Sequence, residues 1–241
     1  MAVIQYGIFN DIHFPKEDRV RYARALSLMS HFPDLRGIYL NGDIMEIESV
    51  SSHPKSPLAQ RSLLAEIEYG VERFFELKKM FPDVPVTYIA GNHEHRVLRY
   101  IRDVSPEMYG LIDCPKLLRF DELGWRFVDY GPAQWVRLGK TRDLWLRHEP
   151  LVGGANHAKG SAEKAYVSLL YGHTHVFQQY FHKKMGPEPF LVSATSCGWL
   201  GDINDACFDY RGPRDNWVSG FTRVDCDEET GEYEIRFIRL D

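Results

Sequence analysis

The sequence lacks a basic surplus, a long apolar run and paired cysteines, and each absence removes a class of protein. Lys and Arg number 29 against 34 Asp and Glu, a net charge of −5. Proteins that grip long nucleic acid by its phosphates are usually basic, so a long non-specific groove is not expected. No apolar stretch approaches the roughly 20 residues of a membrane-spanning helix. Met1 to Phe9 has neither the basic run nor the extended apolar region of a secretory leader. It is expected to be the first strand of a cytoplasmic protein. Cys114, Cys197, Cys207 and Cys226 form no C-x-x-C pair, which removes zinc ribbons and thioredoxin-type sites. Free thiols are expected, with a Cys197–Cys207 bridge the alternative. There is no repeat, low-complexity tract or linker, so 1–241 is expected to form one domain. Histidine, by contrast, occurs ten times. Its side chain carries ligand and proton-transfer chemistry near neutral pH, so its placement matters more than the net charge.

The first ninety residues alternate strand and helix. Val3–Phe9 is β-rich and runs into a polar loop. Arg19–His31 puts Tyr22, Ala25, Leu26 and Met29 on one helical face. Gly37–Leu40 is a short strand ending at Asn41-Gly42-Asp43, and Met45–Leu58 is a long loop. Gln60–Phe81 repeats Leu63, Leu64, Ile67, Val71, Phe74, Phe75 and Leu77 at three- and four-residue steps, an amphipathic helix ended by Pro82 and Pro85. Val86–Ala90 is a buried strand that leads into Gly91-Asn92-His93-Glu94. This order predicts a parallel sheet with crossover helices. The second half shows short strands at Arg126–Val128, Trp135–Leu138 and Leu144–Arg147, then a helical turn over Ser161–Tyr166. Further strands are predicted at Val167–Tyr171, Phe177–His182, Phe190–Ala194, Ser219–Val224 and Tyr233–Arg239.

Five polar clusters follow predicted strands: Asp11-Ile12-His13, Gly42-Asp43, Gly91-Asn92-His93-Glu94, His148, and Gly172-His173-Thr174-His175. Open α/β sheets bind ligands at these carboxyl ends. The clusters supply Asp, Asn and His, which are oxygen and imidazole donors without a thiolate. That set suits Mn, Fe, Zn or a similar divalent ion. In extended chain, residues i and i+2 point the same way, so Asp11 with His13, and His173 with His175, can share an ion. A pair of ions needs a bridging carboxylate, and Asp43 is the best candidate. Any one cluster is ordinary turn chemistry; the ordered set is not.

The order D-x-H, G-D, G-N-H-[ED], H, G-H-x-H resembles the calcineurin-like metallophosphoesterases over about Asp11 to His175. The resemblance implies a four-layer αββα sandwich of two mixed sheets flanked by helices, with a dinuclear metal site at the carboxyl ends of the strands. It assigns one divalent ion to Asp11, His13, His175 and bridging Asp43, and the other to Asp43, Asn92, His148 and His173. Manganese is the first expectation, with iron, zinc, nickel or cobalt as alternatives. His93 matches the residue that contacts the phosphate and protonates the leaving group, and Asn92 also lies against substrate. Glu94 is either an orienting carboxylate or a helix N-terminal acid. Two departures matter. Gly42-Asp43-Ile44-Met45-Glu46 lacks the Asp-Arg-Gly of protein Ser/Thr phosphatases, which disfavours that activity. His148-Glu149 stands where His-Gly is common, which makes His157 a rival ligand. The stretch Asn41–His53, a long helix and G-N-H-E together are similar to a phage- and prophage-associated branch.

Arg96, Arg99 and Arg102 follow the G-N-H-E loop at three-residue steps. Arg96 is a candidate for a second phosphate or leaving group, whereas Arg99 and Arg102 suit a solvated helix face. His53, His95 and His157 adjoin motifs and are cleft or exposed loop residues; His31 and His182 are incidental. Ser196–Trp217 interleaves Trp199, Phe208, Tyr210 and Trp217 with Arg211 and Arg214, which suits base stacking, an interface or a cover for the sheet's end. The expected activity is phosphodiester hydrolysis on a nucleotide or nucleic acid, without a membrane partner. A small-molecule phosphomonoesterase, a metal-dependent nuclease and a non-catalytic metal-binding module are the alternatives.

Overall fold

The computed structural model describes residues 2–52, 62–211 and 214–240, with the side chains of residues 209–211 outside that description. In order, the elements are β1 (Val3–Phe9), α1 (Arg19–Met29), β2 (Leu35–Asn41), α2 (Leu63–Met80), β3 (Val86–Ile89), α3 (His95–Val104), α4 (Cys114–Leu117), α5 (Phe120–Leu123), β4 (Arg126–Val128), β5 (Val136–Arg137), β6 (Leu144–Leu146), α6 (His157–Lys164), β7 (Ser168–Tyr171), β8 (Phe177–Lys184), β9 (Phe190–Cys197), β10 (Gly220–Asp227) and β11 (Tyr233–Arg239). Three strands, β1, β4 and β11, begin and end where the residue pattern puts them.

Two mixed sheets result. The first has the order β11-β10-β1-β2-β3-β4, with β1 to β4 parallel and β10 antiparallel to β1. The second has the order β5-β6-β7-β9-β8, with β6, β7 and β9 parallel between antiparallel edges. Side-chain alternation sorts residues between layers. Ile4, Tyr6 and Ile8 of β1 meet Leu144, Leu146 and Leu170 in a core between the sheets. Phe9, Ile38, Leu40 and Tyr88 instead pack under α1 and α2. In β7, Leu170 faces the other sheet while Leu169 and Tyr171 lie with Ala162 of α6. The layers are therefore helices, sheet, sheet, helix: the αββα sandwich.

Local chemistry explains the helix limits. Asp18 caps α1 by accepting from the Arg21 N–H at 3.0 Å, and Ser62 caps α2 through the Ala65 N–H. α1 buries Tyr22, Ala25, Leu26 and Met29, the expected face. α2 buries Val71, Phe74 and Leu77, but Leu64 points to solvent at 63 % exposure. α6 starts at His157, four residues before the expected turn. Its buried face is Ala158, Ser161 and Ala162, too small and polar to give a strong apolar period. All four cysteines are free.

Ile8 is fully buried between the sheets. Ile8→Ala is expected to lower unfolding free energy by about 2–5 kcal/mol, read from urea denaturation monitored by tryptophan fluorescence.

Candidate metal centre

The loops that leave β1, β2, β3, β6 and β7 converge on one edge and are bonded to one another. Asp11 N–H donates to the Gly42 carbonyl, His13 N–H to the Asp43 carbonyl and Gly172 N–H to the His148 carbonyl, at 3.1, 3.0 and 3.0 Å. Asn41 Nδ2 reaches Asn10 Oδ1 at 2.8 Å and the Arg147 carbonyl at 3.1 Å, tying the two sheets together. His173 N–H donates to both oxygens of Asp11, at 3.1 and 2.9 Å.

The backbone geometry corrects the extended-chain expectation. Asp11, His13, Asp43, His173 and His175 all have positive φ, between 49° and 67°. They pair because each sits in a left-handed turn, not because i and i+2 alternate. A non-glycine residue there costs roughly 1–2 kcal/mol, and the cross-loop hydrogen bonds hold it. The motif glycines follow from the same crowding. A Cβ on Gly42, whose φ is +84°, would stand 2.2 Å from His148 Nδ1, and one on Gly172 would stand 2.4 Å from Asp11 Oδ2.

Among the described residues the expected donors form two groups, and a third joins His13 to Glu46 and His93. In the first, His13 Nε2 lies 3.2 Å from His175 Nε2, and Asp11 Oδ1 lies 3.9 and 3.4 Å from these nitrogens. In the second, His148 Nε2 lies 3.2 Å from Asp43 Oδ2 and 3.1 Å from Asn92 Oδ1, which is 2.8 Å from His173 Nδ1. Two donors each about 2.1 Å from one ion and at right angles stand about 3.0 Å apart. Both groups have that spacing, and the donors are those a hard-to-borderline dication takes. The residues present therefore fit divalent metal ions, and all seven expected donors fall in the two groups.

The sequence reading missed Glu46. Its Oε2 lies 2.7 Å from His13 Nδ1 and 3.1 Å from His93 Nδ1. A carboxylate on one ring nitrogen turns the other toward a metal, so Glu46 aims His13 Nε2 into the first group. The Nδ1–H of His148 donates to the Asn41 carbonyl at 3.1 Å and aims its Nε2 likewise. Glu46 follows Asp43 by three residues; nothing in that spacing separates it from Glu48. Glu94 orients rather than merely heads a helix. Its carboxylate accepts from the backbone N–H groups of Asp43, Ile44, Met45 and Gly91 and from the Tyr88 hydroxyl, at 2.6–3.1 Å.

Arg96 is not presented to substrate. It is 4 % exposed, and its guanidinium donates to the Glu46 carbonyl at 2.7 Å, to Glu46 Oε1 at 3.0 Å and to His93 Nε2 at 2.8 Å. Arg99 is partly exposed and Arg102 exposed. The three differ because a three-residue step drifts around a 3.6-residue helix. His157 is in neither donor group; it is buried against the Tyr171 hydroxyl at 2.7 Å. His95 packs beside Tyr130 with the two rings tilted by 39°. Trp199 and Phe208, each 1 % exposed, pack on His13 and His175 and so brace ligands instead of offering a stacking face. His53 and the side chains of Tyr210 and Arg211 lie outside the described residues.

Burial sets the charges. It pushes the Asp11 carboxyl up to about 7. Burial would also raise Asp43, but His148 and His93 hold it well below the usual carboxylate range. Burial alone would lower His148, yet Asp43 lifts it to about 10. For Glu46 too, burial opposes the charge and loses to His93 and His13, which keep the carboxyl well below its ordinary range.

The fold and these donors define a two-sheet protein built to hold divalent ions at one edge. The chain belongs to the calcineurin-like phosphoesterase family, whose model matches residues 4–177; it is thus of a kind that hydrolyses phosphate esters with divalent metals. It is similar to the gene 54 protein of Mycobacterium phage L5, with 25 % identity over 250 aligned positions, 95 % of this chain and 91 % of that protein. It is also similar to the gene 54 protein of Mycobacterium phage D29, with 24 % identity over 225 positions, 89 % of this chain and 86 % of that one. No helix among the described residues is long and apolar enough to cross a membrane.

Two outcomes follow. Metal ligands must be deprotonated. His148, raised to about 10, carries a proton at neutral pH, and Asp11 adds a second below about pH 7. Metal loading therefore releases protons, more of them in acid, and affinity rises with pH. Calorimetry of Mn²⁺ binding in buffers of different ionisation heat reads this directly; equal heats in all buffers would contradict it. Glu94→Gln sets an amide NH₂ against backbone donors and is expected to cost about 2–4 kcal/mol of stability, with weaker metal retention measured after dialysis.

Proposed function

We propose that this protein is a dinuclear metal-dependent phosphodiesterase acting on a nucleotide or nucleic acid. The observation that carries the metal chemistry is the convergence of Asp43 Oδ2, Asn92 Oδ1, His148 Nε2 and His173 Nδ1 beside the Asp11–His13–His175 group. Asp43 is the shared carboxylate in this reading. Bound dications supply Lewis-acid charge for the phosphoryl oxygens and an activated water nucleophile.

The remaining roles belong to side chains. Asn92, partly exposed beside His173, is where ligand donors meet the substrate's phosphate. His93 is the acid for the leaving oxygen. Its Nε2 lies 3.6 Å from Asp43 Oδ2, on the donor side of the ring. Arg96 has no acceptor, so Nε2 accepts from it and the single proton of the neutral ring sits at Nδ1, donating to the Glu46 carbonyl at 2.9 Å. The second proton can sit at Nε2 only when the Arg96 guanidinium turns off that nitrogen, while its other amino group keeps the Glu46 carbonyl and carboxylate; the ring's charge then lies against the Glu46 carboxylate 3.1 Å away. Donating that proton to the leaving oxygen returns the neutral tautomer that Arg96 and Glu46 hold. Arg96 is thus a positioning residue. The preference for a diester rests on the missing Asp-Arg-Gly after Asp43 and on Trp217 in the cleft beside His175.

Hydrolysis of bis(p-nitrophenyl) phosphate by Mn²⁺-loaded protein is expected to exceed that of p-nitrophenyl phosphate. Silence on both with two ions bound sinks the enzymatic reading, and a strong monoester preference would make it a phosphomonoesterase. Asp43→Ala is expected to abolish turnover. His93→Ala is expected to keep both ions by elemental analysis while kcat falls about 10²–10⁴-fold; loss of the metals would refute the acid role.

A further inference from the structure

The cleft in front of the metal centre has a volume of about 500 Å³, and its lining includes Glu149, Gly153, Gly154, His173, His175 and Trp217. Three things about this wall are unusual for a phosphate site. No lysine or arginine is among the described lining residues, so beyond the metal centre a second phosphate finds no cationic partner there. The one formal charge on the wall, outside the histidine ligands, is negative. And only one of the two Glu149 oxygens is hydrogen-bonded among the described residues, with Arg147 attracting the carboxylate electrostatically. Glu149 accepts from the Tyr130 hydroxyl through Oε1 at 2.6 Å, which fixes the carboxylate. Its Oε2 has no hydrogen-bond donor among the described residues. Burial and the Glu149 carboxylate push the Tyr130 phenol up, so Tyr130 stays a donor.

The other walls suit a flat, uncharged group. Trp217 is partly exposed and stands at 86° to the His175 ring, 4.3 Å from it centre to centre. Gly153 and Gly154 bring backbone without side chain to the cleft, and nothing lies within 4 Å of where their Cβ atoms would be. An anchored carboxylate repels a second phosphate, and an aromatic edge gives it no counter-charge. They offer a sugar hydroxyl pair or a base amino group one strong acceptor, and a ring a surface.

We infer that Glu149 is a specificity-determining residue: it accepts hydrogen bonds from the neutral nucleoside portion of a phosphodiester whose single phosphate sits at the metal centre. This rests on the phosphodiesterase reading above. Glu149 follows the ligand His148 directly, so the acceptor is rigidly placed relative to the phosphate, which is what discrimination by one hydrogen bond requires.

The experiment compares two diesters on Mn²⁺-loaded protein: the p-nitrophenyl ester of adenosine 5′-monophosphate and bis(p-nitrophenyl) phosphate. Wild type is expected to prefer the nucleoside ester in kcat/KM. Glu149→Ala is expected to reduce that preference about tenfold, mainly through KM. Glu149→Gln, which keeps an acceptor oxygen, is expected to restore part of it. Calorimetry gives a second readout: Glu149→Ala is expected to weaken adenosine 5′-monophosphate about tenfold relative to inorganic phosphate. Loss of both diester activities in parallel, with the phosphate and nucleotide affinities falling together, would overturn the inference, because Glu149 would then act only through His148. An unchanged preference would overturn it as well. Wild type that hydrolyses bis(p-nitrophenyl) phosphate but not the nucleoside ester refutes the inference and leaves the phosphodiesterase reading standing. Silence on both refutes both.

Discussion

Everything at this edge of the molecule depends on forcing seven electron-rich side-chain atoms toward two points. Two imidazole nitrogens 3.2 Å apart, with a carboxylate oxygen 3.4 Å from one of them, do not gather spontaneously. Their lone pairs repel unless a proton or a dication lies between them. Protons can meet part of that need, since burial raises Asp11 and the Asp43 carboxylate raises His148. A dication meets it better, because it satisfies all donors at once. The rest of the site is the scaffolding that keeps the donors from relaxing apart.

That scaffolding consists of buried charge used structurally. Glu94 draws four backbone N–H groups and a tyrosine hydroxyl onto one carboxylate, so the Asp43 turn is clamped to the loop after β3. Glu46 joins His13, His93 and Arg96 into one network. An isolated buried carboxylate costs several kcal/mol; five donors on Glu94 and two histidines with an arginine on Glu46 offset that cost. The result is rigidity where rigidity is useful: a misplacement of a catalytic group by about 1 Å can cost 10²-fold in rate. The aromatic packing of Trp199 and Phe208 on His13 and His175 belongs to the same scaffold.

Much of this was legible in residue order. A β-rich run located β1, which is buried on both faces, and helical periods located α1 and most of α2, each of which buries one apolar face. Only the second half of α6 was legible, because Ala158, Ser161 and Ala162 bury little apolar surface. Donor types at the ends of strands located the candidate metal centre, because few other demands place Asp, Asn and His at five strand ends. Glu46 and the true role of Arg96 were not legible. Both are long side chains that reach residues distant in sequence, and local spacing carries no record of where a flexible side chain ends. The aromatics after β9 were legible as a cluster but not by orientation: the same residue types cover a sheet end or stack a base.

The sequence by itself determined the class of chemistry. An ordered set of hard oxygen and imidazole donors, each after a strand and none a thiolate, selects divalent metals and one fold family. Tertiary structure decided how those donors meet. They do so through left-handed turns and cross-loop hydrogen bonds, with glycine wherever a neighbouring ligand fills the space of a Cβ. It also decided that Arg96 stands behind His93, and that Glu149 fronts a cleft whose described lining holds no lysine or arginine. The physical reason is one of range. Backbone preference and hydrophobic period act over a few residues and can be read along the chain. Burial, charge pairing and side-chain reach act between elements, and they exist only once two sheets have closed on a shared core.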